Sequence, residues 1–392
     1  MSRHLNVRRH TRIKYHPKAH VFEGLVLALV VLIAMTLLLH SRLFPPSANV
    51  AGASPSAMPV QISGAFGYFM LQGHVFQSVD GGARWTSASI RIRGGNVDPF
   101  VYALSVNERW EADAQSDGAS TRITASYTHD NGVTWRTASL PQIQAPYARP
   151  MSMQFTPDGR TGWLVVDTSQ GYTLTAILFK TVDGGASWVG RALPFSGQIT
   201  MASATDGWLV GARWATLRNL IAVTHDGGQS WHEQSLPNMG SSTAAIISQP
   251  AFLDSRHGVL AVHNSETLTI YSTSDGVSWK KETSVSGVTD DESLPYVSFS
   301  GNSVWIAVND TLVTSPDDGV TWAQPIHSPS LIGAIAVYEV SPMVGWAITQ
   351  NGYCVSAKTN CGTRTAVLQS HDGGRTWLAV MAPGLKTIVG MN

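Results

Sequence analysis

Seven aspartates recur with a fixed entourage: Asp80, Asp130, Asp183, Asp226, Asp275, Asp317 and Asp372 each follow a Ser or Thr by two residues and precede a Trp. The strings are SVDGGARW (78–85), THDNGVTW (128–135), TVDGGASW (181–188), THDGGQSW (224–231), TSDGVSW (273–279), SPDDGVTW (315–322) and SHDGGRTW (370–377). A carboxylate can serve acid–base chemistry or bind a cation, but seven copies of identical chemistry exceed the needs of one active site. Tight-turn physics accounts for each fixed position. Asp accepts hydrogen bonds from backbone N–H groups of its own turn, and Gly supplies the positive φ that other residues resist. Asn131, in the first glycine slot of the second copy, tolerates that conformation. Ser or Thr ends one strand. Trp85, Trp135, Trp188, Trp231, Trp279, Trp322 and Trp377 begin the next and are expected to pack onto their own sheets. The fifth copy is one residue short, which predicts a tighter or irregular turn.

Other groups lie between the repeats. ERWEADAQSDGAST (108–121) reads as a long acidic loop carrying Trp110, and GARWATLRN (211–219) places Arg213, Trp214 and Arg218 together. An aromatic flanked by arginines suits a contact hot spot, through stacking and charge-assisted hydrogen bonds; the plainer reading is a Trp folded back over its own hairpin. Asp290, Asp291 and Glu292 are consecutive in VTDDES and could hold a hard cation such as calcium, although a solvated acidic loop explains them as well. Cys354 and Cys361 flank a hairpin loop in YCVSAKTNC and are expected to oxidise to a disulfide outside the cytoplasm. No P-loop, HExxH, GxSxG or dinucleotide fingerprint occurs, and the 13 His show no metal-ligand spacing. No cofactor is expected.

The elements that must position these groups are strands. Successive aspartates of the repeat are 42 to 55 residues apart, the length of one four-stranded propeller blade with its loops. A second motif precedes most copies: FTPDGRTGWLV (155–165), ATDGWLV (204–210), FLDSRHGVLAV (252–262), SFSGNSVWIAV (298–308) and VSPMVGWAIT (340–349). It reads as a polar turn followed by a buried second strand. The second unit matches poorly there. The fold expected is therefore all-β, a seven-bladed propeller over residues 58–392, with the segment after Pro383 as a candidate closing strand. The repeated turns fall on one face. Loops between second and third strands open on the other, where function is expected.

The chain has 392 residues, 26 Lys+Arg against 26 Asp+Glu, and 13% charged residues, a balance that argues against nucleic-acid binding and against a disordered charged chain. The balance hides an asymmetry: Arg3, Arg8, Arg9, Arg12, Lys14 and Lys18 crowd the first 20 residues. They form a basic arm (1–20) ahead of an apolar segment (21–41) containing GLVLALVVLIAMTLLL, followed by a Pro/Ser/Ala spacer (42–57). An apolar stretch of this length can cross a hydrocarbon core as a helix, and the preceding basic residues place the N-terminus in the cytoplasm. The expectation is a single-pass plasma-membrane anchor with the propeller extracytoplasmic. The alternative is a signal peptide cleaved near Ala51-Gly52-Ala53.

The octapeptide (Ser/Thr)-x-Asp-x-Gly-x-x-Trp resembles the Asp-box, or BNR, repeat of sialidases, sortilin-type receptors, xyloglucan-cleaving glycosidases and the photosystem II stability/assembly factor family. Together with the Gly-Trp strand, it looks most like the last of these. That resemblance implies a non-catalytic, membrane-tethered scaffold or assembly/stability factor that holds a protein partner or surface glycan. The alternative is a glycan-binding protein or glycoside hydrolase, sialidase-like or endo-glucanase-like. Sialidases carry a Phe/Tyr-Arg-Ile-Pro-like motif, and the nearest string here, Tyr147-Ala148-Arg149-Pro150, departs from it. An endo-glucanase needs two carboxylates across a cleft, and the sequence singles out no such pair.

Overall fold

The computed structural model describes residues 60–63, 66–71, 74–82, 84–88, 100–168, 175–213, 218–239, 245–289, 293–356 and 359–380. For 60–63, 71, 74, 213, 218, 352–356 and 359–364 it describes the backbone alone. The arm, apolar segment and spacer expected over 1–57, the residues Trp214, Asp290, Asp291 and Glu292, and the tail after Pro383 lie outside the described residues. Among those described, no helix is long and apolar enough to cross a membrane.

Seven antiparallel sheets follow one another over residues 60–88, 100–139, 149–192, 196–234, 246–286, 296–327 and 334–379. In each, the strands pair in chain order. The fifth counts five strands because its first is broken into Ile246–Ile247 and Ala251–Phe252, both paired with Gly258–Asn264. First strands of neighbouring blades touch: Arg149–Phe155 meets both Phe100–Ala103 and Ser196–Met201, and Ala334–Ser341 meets both Tyr296–Ser300 and Val60–Ser63. They therefore surround the axis. The second strands Gly162–Asp167 and Ser303–Val308 are buried at every position, because each blade is covered on both faces by its neighbours, which explains their continuous apolar runs. The fourth strand Val189–Ala192 is exposed throughout and forms an outer edge.

The octapeptide turns share one hydrogen-bond plan. In all seven the Ser or Thr hydroxyl donates to Asp Oδ1 at 2.7–3.0 Å. The Ser or Thr hydroxyl oxygen in turn accepts the N–H of the last turn glycine at 2.8–3.0 Å. Asp Oδ1 also accepts the backbone N–H of the residue before the Trp at 2.7–2.9 Å. Both glycine slots are left-handed, with φ of 74° at Gly184 and 97° at Gly185, and Asn131 takes the first slot at 58°. The short fifth copy keeps only Gly276 at positive φ, and its Asp275 Oδ1 takes the N–H groups of both Val277 and Ser278.

The turn tryptophans pack on their own sheets, as Trp85 does on Phe69 and Trp188 on Phe155, and reach the neighbouring blade as well. Trp85 packs edge-on against Trp346 of blade 7, and Trp188 joins the cluster shared by blades 2 and 3. The second-strand tryptophans reach the opposite way. Trp110 Nε1 donates to the Gly184 carbonyl at 2.8 Å, Trp163 Nε1 to Gly227 at 3.0 Å, and Trp346 Nε1 to Gly81 at 3.1 Å, each in the turn of the next blade. Trp208 makes no such bond: its buried indole N–H finds no acceptor, and the turn it faces, in blade 5, is the one that lacks a residue. Apolar clusters join blades 1 and 2, 2 and 3, 3 and 4, 4 and 5, 5 and 6, 6 and 7, and finally 7 and 1. The ring therefore closes. Among the described residues, blades 1 and 7 each draw their four strands from one continuous segment, and they meet through side-chain packing and the Trp346 to Gly81 bond.

Candidate functional site

The repeated turns are the first place to look for chemistry, and they prove to be occupied with themselves. Besides the bonds above, Asp130, Asp183, Asp226, Asp317 and Asp372 each accept a hydroxyl on Oδ2 at 2.5–2.7 Å. Hydrogen bonding to the ionised form lowers a carboxyl pKa. The Thr134 hydroxyl and N–H hold Asp130 down at about 2, those of Thr376 do the same for Asp372, and the N–H groups of Ser278 and Val277 for Asp275. Such groups stay ionised and hydrogen-bonded. They build turns and do not hand over protons.

The polar turns between first and second strands lie on the same face, as shown by Gly184 N–H to Arg160 O at 2.8 Å and Gly227 N–H to Thr205 O at 2.7 Å. By antiparallel alternation, the second-to-third loops and the inter-blade links emerge on the other face. There the ends of blades 3 and 4 bring several polar groups together. Arg149 opens the first strand of blade 3 and Asp167 closes the second, so the ladder sets them opposite each other. Arg149 Nε donates to Asp167 Oδ2 at 3.5 Å, and the Ser196 hydroxyl from blade 4 donates to Asp167 Oδ1 at 3.3 Å. Asp167 is nearly buried, whereas the Arg149 side chain keeps 27% exposure and Tyr147, two residues earlier, keeps 46%. Ser196 pairs with Ala212, and the next residue, Arg213, pairs with Arg218 across the hairpin. Residues 214–217 form its tip and lie outside the described residues.

Of the residues singled out from sequence, Arg213 and Arg218 are thus set opposite one another by the backbone at this edge; their side chains and the whole of Trp214 lie outside the described residues. Trp110 is a correction. ERWEADAQSDGAST is not a long loop but the paired strands Arg109–Ser116 and Thr121–Thr128 joined by a short turn. Trp110 has no exposed surface, and its ring stacks on Phe155 of blade 3 at 3.9 Å. The acidic spelling misled because Arg109 stands where most other blades have Gly, and buries its guanidinium 3.4 Å from Glu111 and over the Trp135 ring at 5.3 Å. Trp110 holds a seam and has no surface to offer a partner. The backbone pairs Cys354 with Cys361 directly across the hairpin, while their side chains lie outside the described residues. Asp290, Asp291 and Glu292 also fall outside them. Among the described residues, no three His, Cys, Asp or Glu cluster for a metal.

Sequence reasoning missed two groups. The Arg149–Asp167 pair is visible only once the strand register is known. Glu339, in the first strand of blade 7, is 3% exposed; its N–H donates to Ser298 Oγ of blade 6 at 3.0 Å, and no well-formed hydrogen bond reaches either carboxyl oxygen. Burial pushes this carboxyl up to about 7, with the Ser303 hydroxyl opposing the shift.

No protein-family model and no curated protein matches the sequence. Solved structures do. One, titled YCF48 bound to D1 peptide, is 19% identical with a TM-score of 0.46, covering 71% of this chain and 80% of that one. An α-L-arabinofuranosidase from Fusarium graminearum, in complex with an iminosugar inhibitor, is 12% identical with a TM-score of 0.40, covering 77% and 88%. A polysaccharide lyase, an ulvan lyase, is 10% identical with a TM-score of 0.43, covering 86% and 95%.

Proposed function

We propose that this chain is a non-catalytic, membrane-tethered scaffold of the Asp-box kind, similar to photosystem II stability/assembly factors, holding a protein partner outside the cytoplasm. The observation that carries the reading is the edge of blades 3 and 4. Exposed Tyr147, the Arg149 guanidinium oriented by Asp167 and the Arg213/Arg218 hairpin sit there on strand ends fixed by a closed ring. Aromatic and arginine side chains on a rigid base supply contact area and charge-assisted hydrogen bonds at low ordering cost. The basic arm and apolar segment at 1–41 supply the tether.

The state of the carboxyl groups supports binding over hydrolysis. A glycosidase needs an acid with a raised pKa facing a cleft, about 5 to 10 Å from a second carboxylate. The turn aspartates are held low by their own turns, and Glu339, pushed up to about 7, is sealed between blades. Asp113, which burial also raises, is half-buried on the second strand of blade 2, its carboxylate accepting the Ala114 N–H.

The test is a crosslinking pull-down from intact membranes of the producing cell. It compares the full chain with an Arg149→Ala variant and with a version whose 211–219 segment is replaced. A protein partner captured by the full chain and lost from both altered forms is the expected result. Equal capture by all three, or no partner together with release of new reducing ends from a polysaccharide, overturns the proposal.

A further inference from the structure

Blade 3 carries two cations that the repeat does not call for. The residue before the octapeptide's Ser or Thr is uncharged in every other blade and is Lys180 here; the residue three past its Trp is Arg191 here and no Lys or Arg elsewhere. On the ladder Lys180 faces Val189 and Leu178 faces Arg191, so the two cations stand diagonally on one face of the sheet, about 7 to 8 Å apart at the backbone. Leu178 and Trp163 place that face against blade 4. Lys180 Nζ lies 5.6 Å over the Trp163 ring, which holds the ammonium but gives its N–H groups no acceptor. Among the described residues, neither Lys180 nor Arg191 has an ion pair or a side-chain hydrogen bond. Lys180 is half-buried, and burial pulls it below the usual lysine value, with Asp226 of the blade 4 turn opposing. Asp226 stays beyond ion-pair distance, both its oxygens engaged by Thr224 and Ser230. A partly desolvated cation without an acceptor points to an anion.

Both cations line an open cavity of about 270 Å³, at the small end of ligand sites, which run from roughly 300 Å³ upward. Leu178, packed against Gly228 of the blade 4 turn, supplies a buried apolar wall. Val182 and Val189 add apolar surface and are 67% and 66% exposed. No Asp or Glu lines the cavity. Two features therefore select the ligand together. A carboxylate can accept from the ammonium and the guanidinium at once, and a hydrocarbon chain beside it removes the valines from water. An inorganic anion would leave the valines wet, and a neutral hydrocarbon would leave the cations unpaired. The small volume calls for a short chain.

We propose that the groove between the outer strands of blade 3 and the turn of blade 4 binds a small molecule with a carboxylate on a short hydrocarbon chain, the carboxylate between Lys180 and Arg191 and the chain along Val182 and Val189. The groove lies toward the turn side of the ring and does not depend on the scaffold reading of the opposite face. The full chain is titrated calorimetrically with hexanoate, acetate, hexanol and hexylamine, as wild type and as the Lys180→Met and Arg191→Gln variants. Hexanoate is expected to bind saturably, acetate and hexanol about tenfold more weakly or less, and hexylamine not at all. Lys180→Met keeps the aliphatic stem beside Trp163 and is expected to lower hexanoate affinity about tenfold. Arg191→Gln is expected to lower it several-fold, and both variants to keep the wild-type melting temperature. Should Lys180→Met fail to fold, Arg191→Gln, a change at an exposed residue, decides alone. No saturable binding of hexanoate, hexylamine or hexanol binding as tightly as hexanoate, or hexanoate affinity unchanged in a folded variant, overturns the proposal.

Discussion

Thr181 shows what a single hydroxyl does in this protein. It is 1% exposed, donates to Asp183 and accepts the Gly185 N–H at 2.9 Å, so removing it strands a buried amide as well as loosening the carboxylate. Thr181→Val is expected to cost about 1 to 3 kcal/mol, measured as a lower urea midpoint with an unchanged slope; an unchanged midpoint would show that the pivot is dispensable. Glu339 gives a prediction of opposite character. Its folded-state pKa is about 7, above the ordinary carboxylate value that the unfolded chain keeps. The fold therefore holds the proton more tightly than the unfolded chain does. Its stabilising contribution is complete below the ordinary carboxylate range and is lost as pH rises through 7, a swing on the order of 3 kcal/mol. Glu339→Gln should flatten that part of the stability–pH curve, whereas an equal slope in variant and wild type would mean the carboxyl ionises freely. Turn chemistry such as that of Thr181 and Asp183 is legible in sequence because its partners lie within six residues. Glu339 is not, because Ser298 and Ser303 come from another blade.

Strands were readable where their spelling matched their burial. GWLVVD at 162–167 announces a strand covered on both faces, and it is one. The blade 2 counterpart, RWEADAQS at 109–116, hides the same role behind Arg109 and Glu111, which compensate each other inside the seam. Whether a Trp lies on a loop or in a seam depends on the neighbouring blade, which a local pattern does not contain. Trp188, edge-on to Phe155 and bonded to the Gly185 carbonyl at 3.0 Å, is expected on Ala substitution to cost about 3 to 5 kcal/mol by denaturant unfolding. The long hairpin of blade 7, Val344–Ser356 with Thr359–Ser370, makes a prediction of its own. Cys354 and Cys361 are register partners, and a disulfide closing so short a loop adds about 2 kcal/mol. Alkylation that adds mass only after reduction would establish the bond; alkylation of the unreduced, unfolded chain would exclude it.

At the scale of the ring, the question is whether the seam joining the two ends of the propeller is weaker than the other six. The structure builds it from the same parts. Trp346 and Gly81 meet as Trp110 and Gly184 do, and Phe69, Phe76 and Trp85 of blade 1 share a core with Trp346, Ile348 and Val367 of blade 7. The sequence announced seven units but not this closure, since 265 residues separate Trp346 from Gly81. If the seams are equivalent, replacing the indole by a phenyl ring should remove one buried hydrogen bond and some packing at each. Trp110→Phe, Trp163→Phe and Trp346→Phe should then destabilise by similar amounts, about 1 to 3 kcal/mol each, with unfolding still a single transition. A much larger loss for Trp346→Phe, or a second early transition in that variant alone, would show that the ring opens first where the chain's ends meet. Equal losses would mean that the propeller behaves as an uninterrupted circle, so the edge of blades 3 and 4 is held as rigidly as any other part of the ring. That rigidity is what the proposed scaffold face of Tyr147, Arg149 and the Arg213/Arg218 hairpin would require.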